Sequence, residues 1–450
     1  MSLKIAGTLF SQRRFAPLFV LLQTGTFNDN VLKNALIALI TFGGIAFLSD
    51  LPSEIRVPVA AFIYTGPFLL VCAIAGQMAD KFDRGIVLRQ VKRAEILIML
   101  IAGLGFYLVN IHILAFALAL MGAQSAFFSP TKNAVLPQWL SNSELITGNA
   151  LLNGFVFVFI LVGQVLGTLL VLKTGGPKII GGILIALSIL GWIASEFCPK
   201  APPPKPKLKV NYEPVTATWS ALSKAFEAPD VLRPMLGVAW FYGLGAIFVT
   251  SFPDYVASQM NFDANVLILI LTLSTLAILL GSLITMLLGN KNIWGPEAIG
   301  LSALGITGVA LCTLSLFLVP SPAYISTQID PETGAAIKGT LSEFLADPAT
   351  PLFLLFAISA SVFNGMFVVP LQAMQQRRAD PAIRARLMSA GAILLNLSVN
   401  VFTVMLIFLA YIRVSPKTPF LIIVIVSTFV SAYAIYRTFR PINRATFISD

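Results

Sequence analysis

Long apolar runs separated by short polar punctuation dominate the chain, in place of the apolar–polar alternation of strands. A run such as 266–288 has the length a helix needs to cross a hydrocarbon core about 30 Å thick, which takes roughly 20 residues. Bounded by Gly, Pro and charge, such runs predict spans near 16–44, 57–79, 94–110, 113–136, 148–172 and 178–197. A second set is predicted near 234–257, 264–289, 296–319, 351–374, 388–412 and 418–437. Between the sets, Pro202, Pro203, Pro204 and Pro206 interleave with Lys200, Lys205, Lys207 and Lys209, a composition too polar and proline-rich to cross a bilayer. The expected fold is therefore an all-α integral membrane protein of twelve helices: a six-helix bundle over 1–197, a cytoplasmic linker over 198–233, and a second six-helix bundle over 234–450.

Composition sharpens this picture. Of 450 residues, 57% are hydrophobic and only 11% charged, which excludes a large soluble domain. The net charge of +10 could suggest nucleic acid, but its distribution decides otherwise. With the N-terminus inside, the cytoplasmic segments carry roughly four times as many basic residues as the outer ones, so both termini are expected in the cytoplasm and no nucleic-acid partner is needed. The clusters after span 2 and in the linker can also touch anionic headgroups of membrane lipids. Lys4, Arg13 and Arg14 precede the first span without a small-residue cleavage site, so that span is expected to be retained. Cys72, Cys198 and Cys312 lie far apart, with neither disulfide-framework nor metal-ligand spacing, and are expected to be packing residues.

The strongest chemical signal is in span 1. Gln23, Thr26, Asn30, Lys33 and Asn34 follow helical spacing and form one polar stripe, with Asn28 and Asp29 beside them and Thr41 further on. Asp29 falls near mid-depth, where an unpaired charge is expensive. Lys33 stands at i+4 and can pair with it. Either the pair is structural and ties span 1 to its neighbours, or it is a charged gate or headgroup site. The second signal is the loop Gly76-Gln77-Met78-Ala79-Asp80-Lys81-Phe82-Asp83-Arg84-Gly85. Gly76 and Gly85 let helix ends approach, and Asp80 held by Arg84 would make a latch that conformational change must break; the plainer reading is a charged turn.

Lys132 follows Pro130 near the cytoplasmic end of span 4, where it can attract a phosphate or snorkel to the interface. Asp254, after Pro253 near the outer end of span 7, is a further acid at an interface. Gly163 with Gly167 suits close helix packing, and the pairs Asn149 with Asn153 and Asn396 with Asn400 suit hydrogen bonds between helices. The outer stretch 321–350 is acidic, with Asp330, Glu332, Glu343 and Asp347, and resembles no calcium loop. Enzyme readings find little: the single histidine, His112, lacks the acid at position 117 that a lipid acyltransferase of the His-x4-Asp type needs, and no nucleophile elbow, P-loop or metal cluster appears. No cofactor and no metal is expected.

An internal echo supports two halves: Ala126-Phe127-Phe128-Ser129-Pro130 in span 4 parallels Met366-Phe367-Val368-Val369-Pro370 in span 10. Two parallel halves joined by a cytoplasmic linker resemble major facilitator transporters, and the loop after span 2 resembles their signature loop. Phe27-Asn28-Asp29-Asn30, Gly76-Gln77-Met78-Ala79-Asp80 with Phe82 and Arg84-Gly85, Ser129-Pro130-Thr131-Lys132, and Phe367-Val368-Val369-Pro370-Leu371 with Gln375 resemble the bacterial lysophospholipid transporter family. Arg13-Arg14-Phe15-Ala16-Pro17 is similar to the transporter portion of proteins fused to acyltransferase and acyl-acyl-carrier-protein synthetase domains. The likeness extends from about residue 12 to residue 437.

That resemblance implies a flippase in the bacterial inner membrane that moves lysophosphatidylethanolamine and lysophosphatidylglycerol to the cytoplasmic leaflet for reacylation. With this chain ending at Asp450, the acyltransferase and synthetase would be separate partners. Asp29 would belong to a charged network, and Asp254 would match an acid in the same region of span 7. One departure stands out: Asn396-Leu397 leads to Ser398, Val399 and Asn400, where family members carry an acid. The alternatives are a proton-coupled exporter of drugs or small amphiphiles, with Asp29 as proton carrier, and a scaffold that recruits lipid-remodelling enzymes.

Overall fold

The computed structural model describes residues 2–42, 53–289, 292–325, 338–412, 414 and 418–439. In chain order its α-helices are α1 (Ser2–Phe10), α2 (Ala16–Phe42), α3 (Ser53–Lys81), α4 (Arg84–Tyr107), α5 (Ile111–Trp139), α6 (Asn142–Val171), α7 (Gly176–Glu196) and the short α8 (Pro214–Phe226). There follow α9 (Pro229–Asp254), α10 (Ala264–Leu288), α11 (Ile299–Leu318), the short α12 (Leu341–Ala346), α13 (Thr350–Arg378), α14 (Arg384–Tyr411) and α15 (Thr418–Phe439). Ten of the described helices are long and apolar enough to cross a membrane. Two further long helices, α2 and α4, fall short of that apolarity and hold the buried polar groups described below.

Local chemistry sets the helix ends. Asp83 accepts from the Gly85 and Ile86 amides at 2.8 and 3.2 Å and starts α4 ten residues before the span expected at 94. Asn110 does the same for α5, accepting from His112 and Ile113 at 3.0 and 3.2 Å. Ser141 and Glu144 form a capping box at the start of α6. Gly175, at φ 75°, supplies the left-handed residue that turns the chain into α7.

The chain divides into two compact units. The first comprises Met1–Met235 with Ala373–Asn396, and the second Leu236–Gln372 with Leu397–Asp450. In the first unit, one apolar core gathers Phe27, Leu32, Leu36, Met99, Phe106, Leu118 and Leu184 from α2, α4, α5 and α7. Close packing of α2 on α6 depends on two glycines: a Cβ on Gly163 would come 2.9 Å from the Phe27 carbonyl oxygen, and one on Gly167 2.7 Å from that of Val31. In the second unit, Trp240 packs edge-on against Phe402, and Ser302 donates to the Phe367 carbonyl at 3.1 Å.

The linker is more structured than its proline content suggests. It runs as a strap over the loop between α3 and α4 and then forms α8, whose Ala217, Ala221 and Ala225 are buried at successive turns. Glu213 caps α8, accepting from the Val215 amide at 3.0 Å, and hydrogen bonds from Thr216 hold its carboxyl below its ordinary range. A depressed carboxylate stabilises its partner above the unfolded pKa and is lost as pH falls through the folded one. Amide protection at Val215 and Thr216 should therefore hold at neutral pH and fall once the pH drops below 4.5, the ordinary value for this group. Pronounced protection retained well into acid would show that the carboxylate does not hold the cap.

Candidate functional site

Two neighbouring polar clusters occupy the interior of the first unit. Asn28 is fully buried and its Nδ2 donates to Glu95 Oε1 at 3.1 Å and to the Leu184 carbonyl at 3.3 Å. Glu95 pairs with Lys92, one turn earlier on α4, at 2.6 Å, and both side chains are almost fully buried. Gln124 of α5 donates to the second Glu95 oxygen at 3.2 Å and to the Val91 carbonyl at 3.3 Å. Lys92 Nζ lies 5.4 Å from the centroid of the Phe128 ring. Glycines leave room for it: a Cβ on Gly25 of α2 would stand 2.8 Å from Lys92 Nζ, and one on Gly191 of α7 3.4 Å away. Each charge thus has an opposite charge beside it, as buried ions require, with two amide donors added on Glu95 and the Phe128 ring on Lys92.

Asp29 points to a different wall. Its Oδ2 accepts from Tyr64 of α3 at 3.1 Å and from Ser125 of α5 at 3.2 Å, while Oδ1 is buried without a hydrogen-bond partner. The i+4 spacing allowed a pair with Lys33, but no ion pair to Lys33 forms among the described residues. The reason is directional: two hydroxyls on neighbouring helices take the carboxylate sideways. Asn30 and Asn34 turn inward to their own helix, donating to the Thr26 and Asn30 carbonyls at 2.8 and 2.7 Å. Lys33 and, on α5, Lys132 are half-buried, and neither joins an ion pair among the described residues. Ser125 and Lys132 are seven residues apart, two turns along one face of α5 and roughly 10 Å.

The loop after α3 makes the third arrangement. Asp80 and Arg84 are fully buried and pair at 3.0 Å. The Asp80 carboxylate also accepts from the backbone amides of Ala385 and Arg386 at 3.0 and 3.3 Å, and from Arg386 Nε at 3.3 Å. An anion therefore sits on the first turn of α14, where unsatisfied amides and the helix dipole favour it. Arg84 also donates to the carbonyls of Ala79 and Ala134 at 3.1 and 3.3 Å. A Cβ on Gly76 would lie 2.6 Å from Ser389 Oγ and 2.8 Å from the Ala385 carbonyl, and one on Gly85 2.5 Å from that of Pro199. Nearby, Asn149 and Gln376 exchange amide hydrogen bonds at 2.8 and 3.1 Å.

Asp254 ends α9, but its side chain lies outside the described residues, as do those of Thr41, Asp330 and Glu332. Cys72 and Cys198 are buried free thiols, and Cys312 is half-buried. Sequence reasoning missed Lys92, Glu95, Gln124, Tyr64 and Arg386. A third span that begins at 94 leaves Lys92 just outside it. The available signal was Glu95 itself, an acid inside an apolar run with a lysine three residues before it.

Membrane-length helices enclosing buried charge are the architecture of a multi-pass membrane transporter. The chain belongs to the Major Facilitator Superfamily, which matches residues 27–329. It is 25% identical over 366 residues to a protein of Klebsiella pneumoniae named lysophospholipid transporter LplT, a match spanning 80% of this chain and 81% of that protein. The protein of the same name from Cronobacter sakazakii is 24% identical over 393 residues, spanning 84% of each chain. Among solved structures, the Major Facilitator Superfamily transporter FucP in its outward conformation matches with a TM-score of 0.66 at 13% identity, covering 95% of this chain and 99% of that one. A bacterial homologue of the iron transporter ferroportin in its outward-facing state matches at 0.63 and 14% identity, covering 94% of this chain and 100% of that one. Both show the fold.

Proposed function

We propose that the protein moves lysophospholipids, such as lysophosphatidylethanolamine and lysophosphatidylglycerol, from the outer to the cytoplasmic leaflet of a bacterial inner membrane by alternating access. The names of the relatives support the substrate class. The observation that carries the reading is the mixed-sign set on α2 and α5: Asp29 with one unsatisfied oxygen, and two lysines that no described carboxylate pairs. A glycerophosphate headgroup offers a phosphate to Lys33 or Lys132 and an ammonium or hydroxyl to Asp29. The acyl chain stays against apolar helix faces, so only the headgroup needs a polar path.

In this reading all twelve long helices span the membrane, both termini are cytoplasmic, and the two sequence halves 1–197 and 234–450 move against each other. Asp80, Arg84, Gly76 and Gly85 act as the cytoplasmic latch, released once per cycle. A separate acyltransferase and acyl-acyl-carrier-protein synthetase reacylate the delivered lipid. The protein is a carrier with no catalytic residues of its own.

The test is movement of labelled lysophosphatidylethanolamine between leaflets of proteoliposomes holding the purified protein, with and without a pH gradient, beside diacyl phosphatidylethanolamine and a small cationic amphiphile. Rapid lysophospholipid flux that needs no gradient, with the diacyl lipid left behind, is expected. No lysophospholipid flux, with amphiphile movement strictly dependent on the pH gradient, would replace this reading with a proton-coupled exporter.

A further inference from the structure

The strap helix α8 has an unaccounted face. Its alanines pack inward, but Val215, Trp219 and Phe226 are 72%, 73% and 63% exposed, with Tyr212 just before the helix at 66%. Positions 215, 219 and 226 fall on one side of a helix, joined at 222 by the half-buried Leu222. With 13 residues α8 is too short to span a bilayer, so its apolar stripe needs another cover than a membrane crossing.

Both ends of α8 are tethered to helices of membrane-spanning length. Before it, the Asn211 amide donates to Gln77 Oε1 at 2.8 Å and the Lys205 amide to the Asp80 carbonyl at 3.0 Å, both in the last turns of α3. After it, two residues lead into α9, which crosses the membrane. A helix held between the end of one span and the start of the next lies along the bilayer surface. The segment 198–228 carries five lysines and two glutamates, and Lys200, Lys207 and Lys209 are exposed. Glu213 is engaged in capping α8.

We infer that α8 is an interfacial anchor: its Val215, Trp219 and Phe226 face enters the cytoplasmic leaflet, and the strap lysines bind anionic lipid headgroups beside it. Aromatic side chains favour the headgroup boundary, and basic residues next to an apolar face draw such a helix onto anionic lipid. Because the same strap hydrogen-bonds the Asp80 loop, the anchor holds that loop's neighbour at the membrane surface. The inference does not depend on which substrate is carried.

The chain has five tryptophans, so the emission of Trp219 is read as the difference between the full-length protein and its Trp219→Phe variant. Both are reconstituted into vesicles of phosphatidylcholine with or without phosphatidylglycerol, with brominated or ordinary acyl chains. The expected result is loss of the Trp219 emission in brominated vesicles, no quenching by aqueous iodide, and deeper loss when phosphatidylglycerol is present. Lys200→Glu/Lys207→Glu/Lys209→Glu should abolish the dependence on phosphatidylglycerol. Trp219 emission quenched by iodide and untouched by brominated chains would overturn the inference and leave that face to the cytosol or to a protein partner. Equal quenching in both lipids would remove the headgroup claim.

Discussion

Lys92→Met should lower the stability of the folded protein by about 3–5 kcal/mol, the usual consequence of removing one member of a buried ion pair. Glu95 would remain fully buried with only the amide donors Asn28 and Gln124 at 3.1 and 3.2 Å against its charge. The double variant Lys92→Met/Glu95→Leu removes both charges and should recover most of that loss, because apolar replacements of a whole buried pair are often neutral. Asn28 and Gln124 would each give up one acceptor in the double variant, which limits the recovery. Thermal unfolding in detergent reads both. A single variant that melts with the wild type would show that the pair is not a structural element.

Asp80→Asn should loosen the contact between the end of α3 and the first turn of α14, the latch of the proposed cycle. The substitution removes the charge that meets Arg84, Arg386 and the first amides of α14, a set whose loss compounds because Asp80 and Arg84 are both fully buried. Cys72 offers a built-in reporter: it is fully buried and its Sγ lies 3.7 Å from the Ser389 carbonyl, one turn along α14 from the amides that Asp80 binds. The wild-type thiol is expected to be labelled slowly by a membrane-permeant maleimide and the variant's thiol at least several times faster, with site-resolved mass spectrometry separating Cys72 from Cys198 and Cys312. Unchanged labelling at Cys72 would mean that Asp80 does not hold these helix ends together.

The fold was legible where burial and length act locally. Runs of apolar residues mark the long helices, and cap residues such as Asp83 and Asn110 mark their starts. Hydropathy alone starts α4 ten residues late and leaves Lys92 outside it until the cap at Asp83 is recognised. The polar stripe of α2 was legible as a stripe, but its partners were not: Asn28 meets Glu95 67 residues away, and Asp29 meets Ser125 96 residues away. Local spacing offered Lys33 to Asp29, whereas tertiary packing supplied two hydroxyls. The linker shows the same lesson in reverse, since its prolines suggest irregular chain while alanines at 217, 221 and 225 already carry the spacing of a packed helix. Asp80 meets Ala385 and Arg386 from 305 and 306 residues away, a contact that no local pattern encodes.

The central claim is that the headgroup of the carried lipid is met by the polar wall at Asp29. Its most direct test is leaflet-to-leaflet movement of labelled lysophosphatidylethanolamine in proteoliposomes containing wild type or Asp29→Asn, at matched amounts of folded protein. Asparagine keeps the shape and can still accept from Tyr64 and Ser125, whose bonds to the carboxylate are 3.1 and 3.2 Å long, so folding should persist. The account predicts that flux falls at least about tenfold in the variant, the effect of losing roughly 1.4 kcal/mol or more of interaction with the moving headgroup. Flux equal to wild type would contradict it and place the headgroup path elsewhere in the protein.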